Sequence, residues 1–241
     1  MPERADSPDL DQRLRSLAEC YGLTQGASAQ LRGLQRLLAE DPLAPTAVRD
    51  PIKVIEDHLA DSLVALELEP VRGARGLADL GSGAGVPGLP LAIALPQTSV
   101  ALVESAARKC AFLERAVAAC GVANARVVHT RLESWPEGLA SFDVVTARAL
   151  GPLEVVVEYA APLLIRGGTL VAWRGARDPE AEAAGARAAA AVGLEVGEIV
   201  PVHPYPAAQN RHLHLMSKVR DTPTGFPRRP GMALKRPLGR R

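Results

Sequence analysis

Asp79-Leu80-Gly81-Ser82-Gly83-Ala84-Gly85-Val86-Pro87-Gly88 decides how this chain is read. A short apolar run, Gly76 to Leu80, enters it, and a helical pattern, Leu89 to Leu95, leaves it. Glycines at 81, 83 and 85 let the backbone turn sharply and approach a ligand with no Cβ in the way. Gly83-x-Gly85-x-x-Gly88 is also a literal dinucleotide fingerprint. Two features weigh against a pyrophosphate there. Asp79 repels an anion, and Pro87 removes an N–H that would face it. The same carboxylate attracts a cation. S-adenosylmethionine carries a sulfonium and an ammonium group, so the turn reads as the seat of its methionine end. A nicotinamide dinucleotide site, in an oxidoreductase, is the competing reading, and a small-molecule methyltransferase is a further one.

Outward from the turn, strands and helices alternate. Ser99 to Glu104 is a nearly continuous apolar run of the kind buried in parallel sheets. Ala106 to Cys120 reads as a helix closed by Gly121. Strands are expected at 125–129, 142–146 and 169–173. Helices are expected from Pro152, at an N1-like position, to Ile165 and from Pro179 to Val192. The last two strands, 194–200 and 212–219, are joined by a Pro-rich loop with no crossover helix, so they pair antiparallel. The expected fold class is α/β: a Rossmann-like methyltransferase sheet, mostly parallel, with its last strand antiparallel. Leucines at helical spacing between residues 10 and 68 add an N-terminal helical appendage. The organisation expected is a disordered start over 1–8, helices over 9–70, the methyltransferase domain over 71–220 and a basic tail over 221–241.

In such sheets ligands sit at the carboxyl ends of the strands, near the point where strand order reverses. Asp79, Gly81, Gly83 and Gly85 lie there. Glu104 ends the second strand, where a carboxylate accepts hydrogen bonds from ribose hydroxyls. Leu132 and Glu133 follow the third strand, toward an adenine edge, and Arg148 follows the fourth.

The net charge is +1, but it is unevenly placed. Nine of the 28 Lys/Arg and one of the 27 Asp/Glu lie from Arg211 onward, so that segment is +8 and the rest is −7. Such asymmetry is a footprint of nucleic-acid contact; a solvated tail is the plain alternative. Arg228, Arg229, Lys235 and Arg236 are the candidate phosphate contacts, with Arg174 a further one. Arg211 and Lys218 read as surface charges, and Trp173 as core. His58 and Asp61 share one helix face. They either line the RNA or cofactor entrance or make a helix-to-sheet contact.

Three cysteines, Cys20, Cys110 and Cys120, are too few and too far apart for a metal site and read as free thiols of a reducing cytosol. The histidines have no metal spacing either. The polar N-terminus shows no signal peptide, and no apolar run is long enough to span a membrane, so a cytoplasmic protein is expected. Absent motifs narrow the chemistry. Thr146-Ala147-Arg148-Ala149 stands where adenine-N6 methyltransferases carry Asn/Asp-Pro-Pro-aromatic, and no cysteine is placed for attack on cytosine C5. Guanine N7 needs neither a nucleophile nor a general base, because it carries a free lone pair and no proton.

Taken together, Asp79 to Gly88, Glu104-Ser105, Arg148-Ala149, Asp57 to Leu63 and Pro227-Arg228-Arg229-Pro230-Gly231 with Lys235-Arg236-Pro237-Leu238 resemble the RsmG family, also called GidB. The resemblance covers roughly residues 10–238. It implies methyl transfer from S-adenosylmethionine to N7 of a guanine in 16S rRNA near the decoding site, by a bacterial, cytoplasmic, mostly monomeric enzyme acting on the small ribosomal subunit. By motif match it implies cofactor contacts at Gly81, Val86, Leu132, Glu133 and Arg148, with Glu104 on the ribose. It also adds weight to phosphate contact by the tail. Arg174 departs from the family pattern, which has a lysine there; the charge is kept, but a planar fork replaces a point charge.

Overall fold

A computed structural model describes residues 8–239. The expected disorder over 1–8 lies, up to residue 7, outside the described residues, and so do the last two arginines. Pro8 already opens a helix, α1 (Pro8–Cys20), followed by α2 (Gln25–Glu40). Thr24 caps α2 by accepting a hydrogen bond from Ala27 N–H at 3.2 Å. Asp50 and Pro51 start a longer helical run, α3, over residues 51–67; Asp50 Oδ1 accepts from Ile52 and Lys53 N–H. This run widens to π geometry over Val54–Ala60 and tightens to 3-10 geometry over Val64–Glu67.

The sheet then forms from β1 (Gly76–Leu80), β2 (Ser99–Glu104), β3 (Ala125–His129), β4 (Phe142–Arg148), β5 (Leu164–Arg174), β6 (Leu194–Val202) and β7 (Arg211–Lys218). Its order is β3-β2-β1-β4-β5-β7-β6. All pairings are parallel except those of β7, which runs antiparallel to both β5 and β6. The expected α/β class and antiparallel last strand are therefore observed. Helices α4 (Gly88–Ala94), α5 (Ala107–Cys120), α6 (Leu153–Ala160) and α7 (Pro179–Val192) make the connections, and a one-turn helix, α8 (Met232–Lys235), lies in the tail. Pro152 is the N-cap of α6 rather than its first residue. Gly167 and Gly168, just ahead of the strand expected at 169–173, are part of β5. Gly167 takes φ +80, and the β4–β5 register shifts beside it, so pairing resumes across a bulge.

Alternate residues of the central strands feed two cores. Leu77, Val100, Leu102 and Val144 pack with α2, α3, α4 and α5. Ala78, Leu80, Val103 and Val145 pack with α6 and α7. With aromatics at 3%, both cores are mainly Leu, Val and Ala. The N-terminal helices are not peripheral: Leu31, Leu34, Leu38, Leu59 and Leu63 lie in the same apolar cluster as β1 and β2. A boundary at residue 70 therefore falls inside a shared core. The tail is not a bare extension either. Ala233 is 1% exposed, in the α6–α7 core. Lys218, expected at the surface, is buried; its ammonium donates to Ala161 O and Thr222 Oγ1, and burial pulls its pKa down to about 8.

Asn124 ties the α4–β2 connection to the start of β3. Its Nδ2 donates toward the carbonyls of Ala92, Leu95 and Thr98 at 2.9, 3.0 and 2.9 Å. Asn124→Ala removes these three hydrogen bonds and is expected to cost about 2 kcal/mol, read as a lower urea midpoint at unchanged m-value.

Candidate active site

A cavity of about 330 Å³ opens at the carboxyl ends of β1 to β4, where strand order reverses. It lies within the range of small-ligand sites. Gly81, Glu104, Leu132 and Glu133 line it. Gly81 has φ +64, and a Cβ there would stand 2.6 Å from Leu150 Cδ1, so this position requires glycine.

Glu104 is 6% exposed and already held in place. Its Oε1 accepts from Ser105 and Ala106 N–H at 2.8 and 2.9 Å; its Oε2 accepts from Gly83 N–H at 3.2 Å, with Lys109 Nζ at 3.8 Å. A carboxylate offers about four acceptor positions, so capacity is left for a hydroxyl in the cavity. Across the cavity, Glu133 Oε1 accepts from Tyr159 Oη at 3.3 Å and from Gly231 N–H at 2.8 Å. Burial and the Glu133 charge push the Tyr159 hydroxyl up to about 12, so it stays a donor.

Other expected contacts lie elsewhere. Asp79 is completely buried beneath the turn and does not line the cavity. Its Oδ1 accepts from Thr146 Oγ1 at 2.9 Å and its Oδ2 from Gly88 N–H at 3.3 Å. Burial pushes its pKa up to about 6. Its carboxylate ties the turn to β4 from below, because it projects from a central strand toward the start of α4. Gly83 reaches the cavity through Glu104. Gly85 donates to Ser82 O at 2.7 Å, and Val86 packs on the core. Lining residues that no sequence motif singled out include Lys109, Leu150, Tyr159 and Leu234. Only their type and chain position were visible, and neither marks them.

Arg148 lines a second cleft, of about 430 Å³, with Asp57, Asp61, Trp173, Arg174 and Arg211. Ala149 belongs to both spaces and takes φ +54, a strained value for a residue with a Cβ. Arg148 Nη1 donates to Asp61 Oδ2 at 2.6 Å and to Asp57 O at 2.9 Å, and its Nη2 donates to His58 Nδ1 at 3.1 Å. Burial, with Arg148 beside it, lowers the His58 pKa, so the ring is neutral. Nδ1 accepts from Arg148, which assigns the remaining proton to Nε2, and Nε2 donates to Thr46 Oγ1 at 2.8 Å. His58 is buried with both nitrogens engaged, which is the helix-to-sheet role. Trp173 is buried and donates to Asp61 O at 2.7 Å. Arg211, expected as a surface charge, sits 3.5 Å from Asp61 Oδ1.

Of the tail cations, Arg229, Lys235 and Arg236 are exposed. Arg228 is engaged within the protein: its Nε and Nη2 pair with Glu158, a carboxylate 1% exposed. Breaking such a buried pair costs about 3–5 kcal/mol.

The family model GidB, rRNA small subunit methyltransferase G, matches residues 33–213. The chain belongs to this family. It is 44% identical over 197 residues to the ribosomal RNA small subunit methyltransferase G of Chloroflexus aggregans, covering 80% of this chain and 82% of that protein. The protein of the same name from Synechococcus sp. (strain JA-2-3B'a(2-13)) is 35% identical, covering 98% of both chains. Among solved structures, the S-adenosylmethionine-dependent methyltransferase SibL shares the fold. Its TM-score is 0.57 at 13% identity, over 88% of this chain and 74% of SibL. Among the described residues, no helix is long and apolar enough to cross a membrane.

The Asp79 carboxyl has a signature in solution. Its pKa is about 6 folded against an ordinary 3.8, so the folded state binds its proton more tightly. Its contribution to stability is fully present below about pH 4 and is lost as pH rises through about 6. The loss is on the order of 3 kcal/mol. Asp79→Asn should abolish this step in a comparison of unfolding free energies at pH 4 and pH 7. An identical pH dependence in both proteins would contradict a buried, titrating Asp79.

Proposed function

We propose that this protein transfers a methyl group from S-adenosylmethionine to N7 of a guanine in 16S rRNA near the decoding site, acting in the cytoplasm as a monomer on the small ribosomal subunit. The observation that supports this most is the adjacency of two spaces across Ala149. One holds the pre-aligned Glu104 carboxylate, and the other is walled by arginines. The residues suit the methyl donor: a glycine turn allows close approach, Glu104 has acceptor capacity left for ribose, and Leu132 and Glu133 lie across from it. When bound, S-adenosylmethionine supplies an electrophilic methyl carbon, which the guanine N7 lone pair attacks as the carbon–sulfur bond breaks.

No proton leaves N7, so the protein needs no general base. Its contribution is alignment and exclusion of water, which is catalysis by proximity. The neutral, fully engaged His58 is consistent with that. The arginine cleft receives the acceptor base, with Arg148 held rigid by Asp61 and His58. Arg174, Arg229, Lys235 and Arg236 supply phosphate contacts, which give affinity without sequence information. Selectivity for one guanine then comes from the shape of the RNA around it.

The deciding experiment is transfer of labelled methyl from S-adenosylmethionine to small ribosomal subunits, with the modified base mapped. Label on an RNA atom other than a guanine N7, or hydride transfer with a nicotinamide cofactor, would refute the proposal. Glu104→Gln should weaken S-adenosylmethionine binding at least tenfold by calorimetry while the circular dichroism spectrum is retained. Replacing Arg229, Lys235 and Arg236 together by Ala should lower the slope of log affinity for RNA against log salt by about 2, at about 0.7 per phosphate contact. An unchanged slope would mean that these side chains touch no phosphate.

A further inference from the structure

The C-terminal segment forms a strap across the cofactor cavity, and one guanidinium pins it. Arg228 Nε donates to Glu158 Oε1 at 2.6 Å, and its Nη2 donates to Glu158 Oε2. The same Nη2 also donates to Arg236 O at 2.9 Å. Arg228 thus ties both ends of 228–236 to each other and to the buried face of α6. Between those ends, Gly231 N–H reaches Glu133 in the cavity, and Ala233 is buried under the strap. Leu234 follows. It lines the cavity and is nevertheless 59% exposed. A large apolar side chain left in water at a cavity wall gains when a ligand covers it. Further along, Gly239 O accepts from Arg187 Nε on α7 at 2.6 Å, which fixes the end of the strap.

Resting on the S-adenosylmethionine reading above, we infer that Arg228 is a positioning residue for the methyl donor. Its pairing with Glu158 holds Gly231 and Leu234 as the outer wall of the cavity, with Leu234 against the bound donor. The same strap carries the exposed Arg229, Lys235 and Arg236. Phosphate contact and donor binding therefore act on one element. RNA that presses the strap down tightens the donor, and the donor tightens RNA by the same factor.

Titration calorimetry with S-adenosylmethionine tests this, alongside methyl-transfer kinetics. Arg228→Ala should lower donor affinity at least tenfold and raise the donor KM by a similar factor, with kcat at saturating donor within twofold of the parent protein. Arg228→Lys should recover part of the affinity, since it keeps the charge but not the two-pronged geometry. Leu234→Ala alters an exposed side chain and leaves the fold intact. It should lower donor affinity at least threefold, and it decides the matter if Arg228→Ala does not fold. Donor affinity within twofold of the parent protein in the folded Arg228→Ala and in Leu234→Ala would overturn the inference. Failure of the parent protein itself to bind S-adenosylmethionine would instead strike at the cofactor reading on which it rests.

Discussion

The Asp79 carboxylate fixes the point where β1, β4 and the start of α4 meet. It is fully buried. Its charge is held by the Thr146 hydroxyl from β4 and by the Gly88 N–H at the start of α4. β1 and β4 are neighbours where strand order reverses, so this one side chain sets the floor of the crevice. Gly88 must lack a Cβ, which would stand 2.8 Å from Asp79 Oδ2. The turn above then places Gly81 at the cavity wall and the Gly83 N–H on Glu104. The Gly81 wall and the Gly83–Glu104 hydrogen bond therefore depend on this arrangement.

Above that floor, the site separates two tasks. The β2 and β3 ends present carboxylates already fixed by backbone N–H groups, which suits hydroxyl recognition. The β4 and β5 ends present arginines fixed by carboxylates and carbonyls, which suits an electron-rich base and its phosphates. Ala149 joins the two at a strained backbone angle. A reaction that moves no proton from its nucleophile demands this kind of rigidity more than it demands a titrating group. The hydrogen-bonded state of His58 and Arg148 meets that demand.

Much of the architecture was legible in the residues. Strand and helix periods, Gly121 as a helix stop and the missing crossover before β7 are local signals, and local sterics decide them. Glu104 was legible because it ends a strand beside a glycine turn, and Leu132 and Glu133 because they follow the next strand. The depth of Asp79 was not. Its place just ahead of the glycines suggested a ligand contact, whereas the partner that buries it, Thr146, is 67 residues away. The place of Arg148 at the end of β4 points toward the cofactor, yet Asp61, 87 residues distant, draws it into the neighbouring cleft. The basic run around Arg228 points to phosphate, yet Arg228 neutralises Glu158, 70 residues back. Lys218 lies at a strand end that suggests the surface, yet it is buried, with carbonyl and hydroxyl acceptors for its ammonium.

Residue order alone therefore settled the α/β class, the antiparallel last strand, the glycine turn and the carboxylate at the end of β2. Each depends on φ/ψ limits or on periodicity within about ten residues of chain. The tertiary structure alone decided which charges line a cavity and which are paired inside the protein, because a buried charge must find its partner wherever the fold brings one. It also decided that the tail walls the cavity, since the Gly231–Glu133 contact spans 98 residues that no local pattern connects.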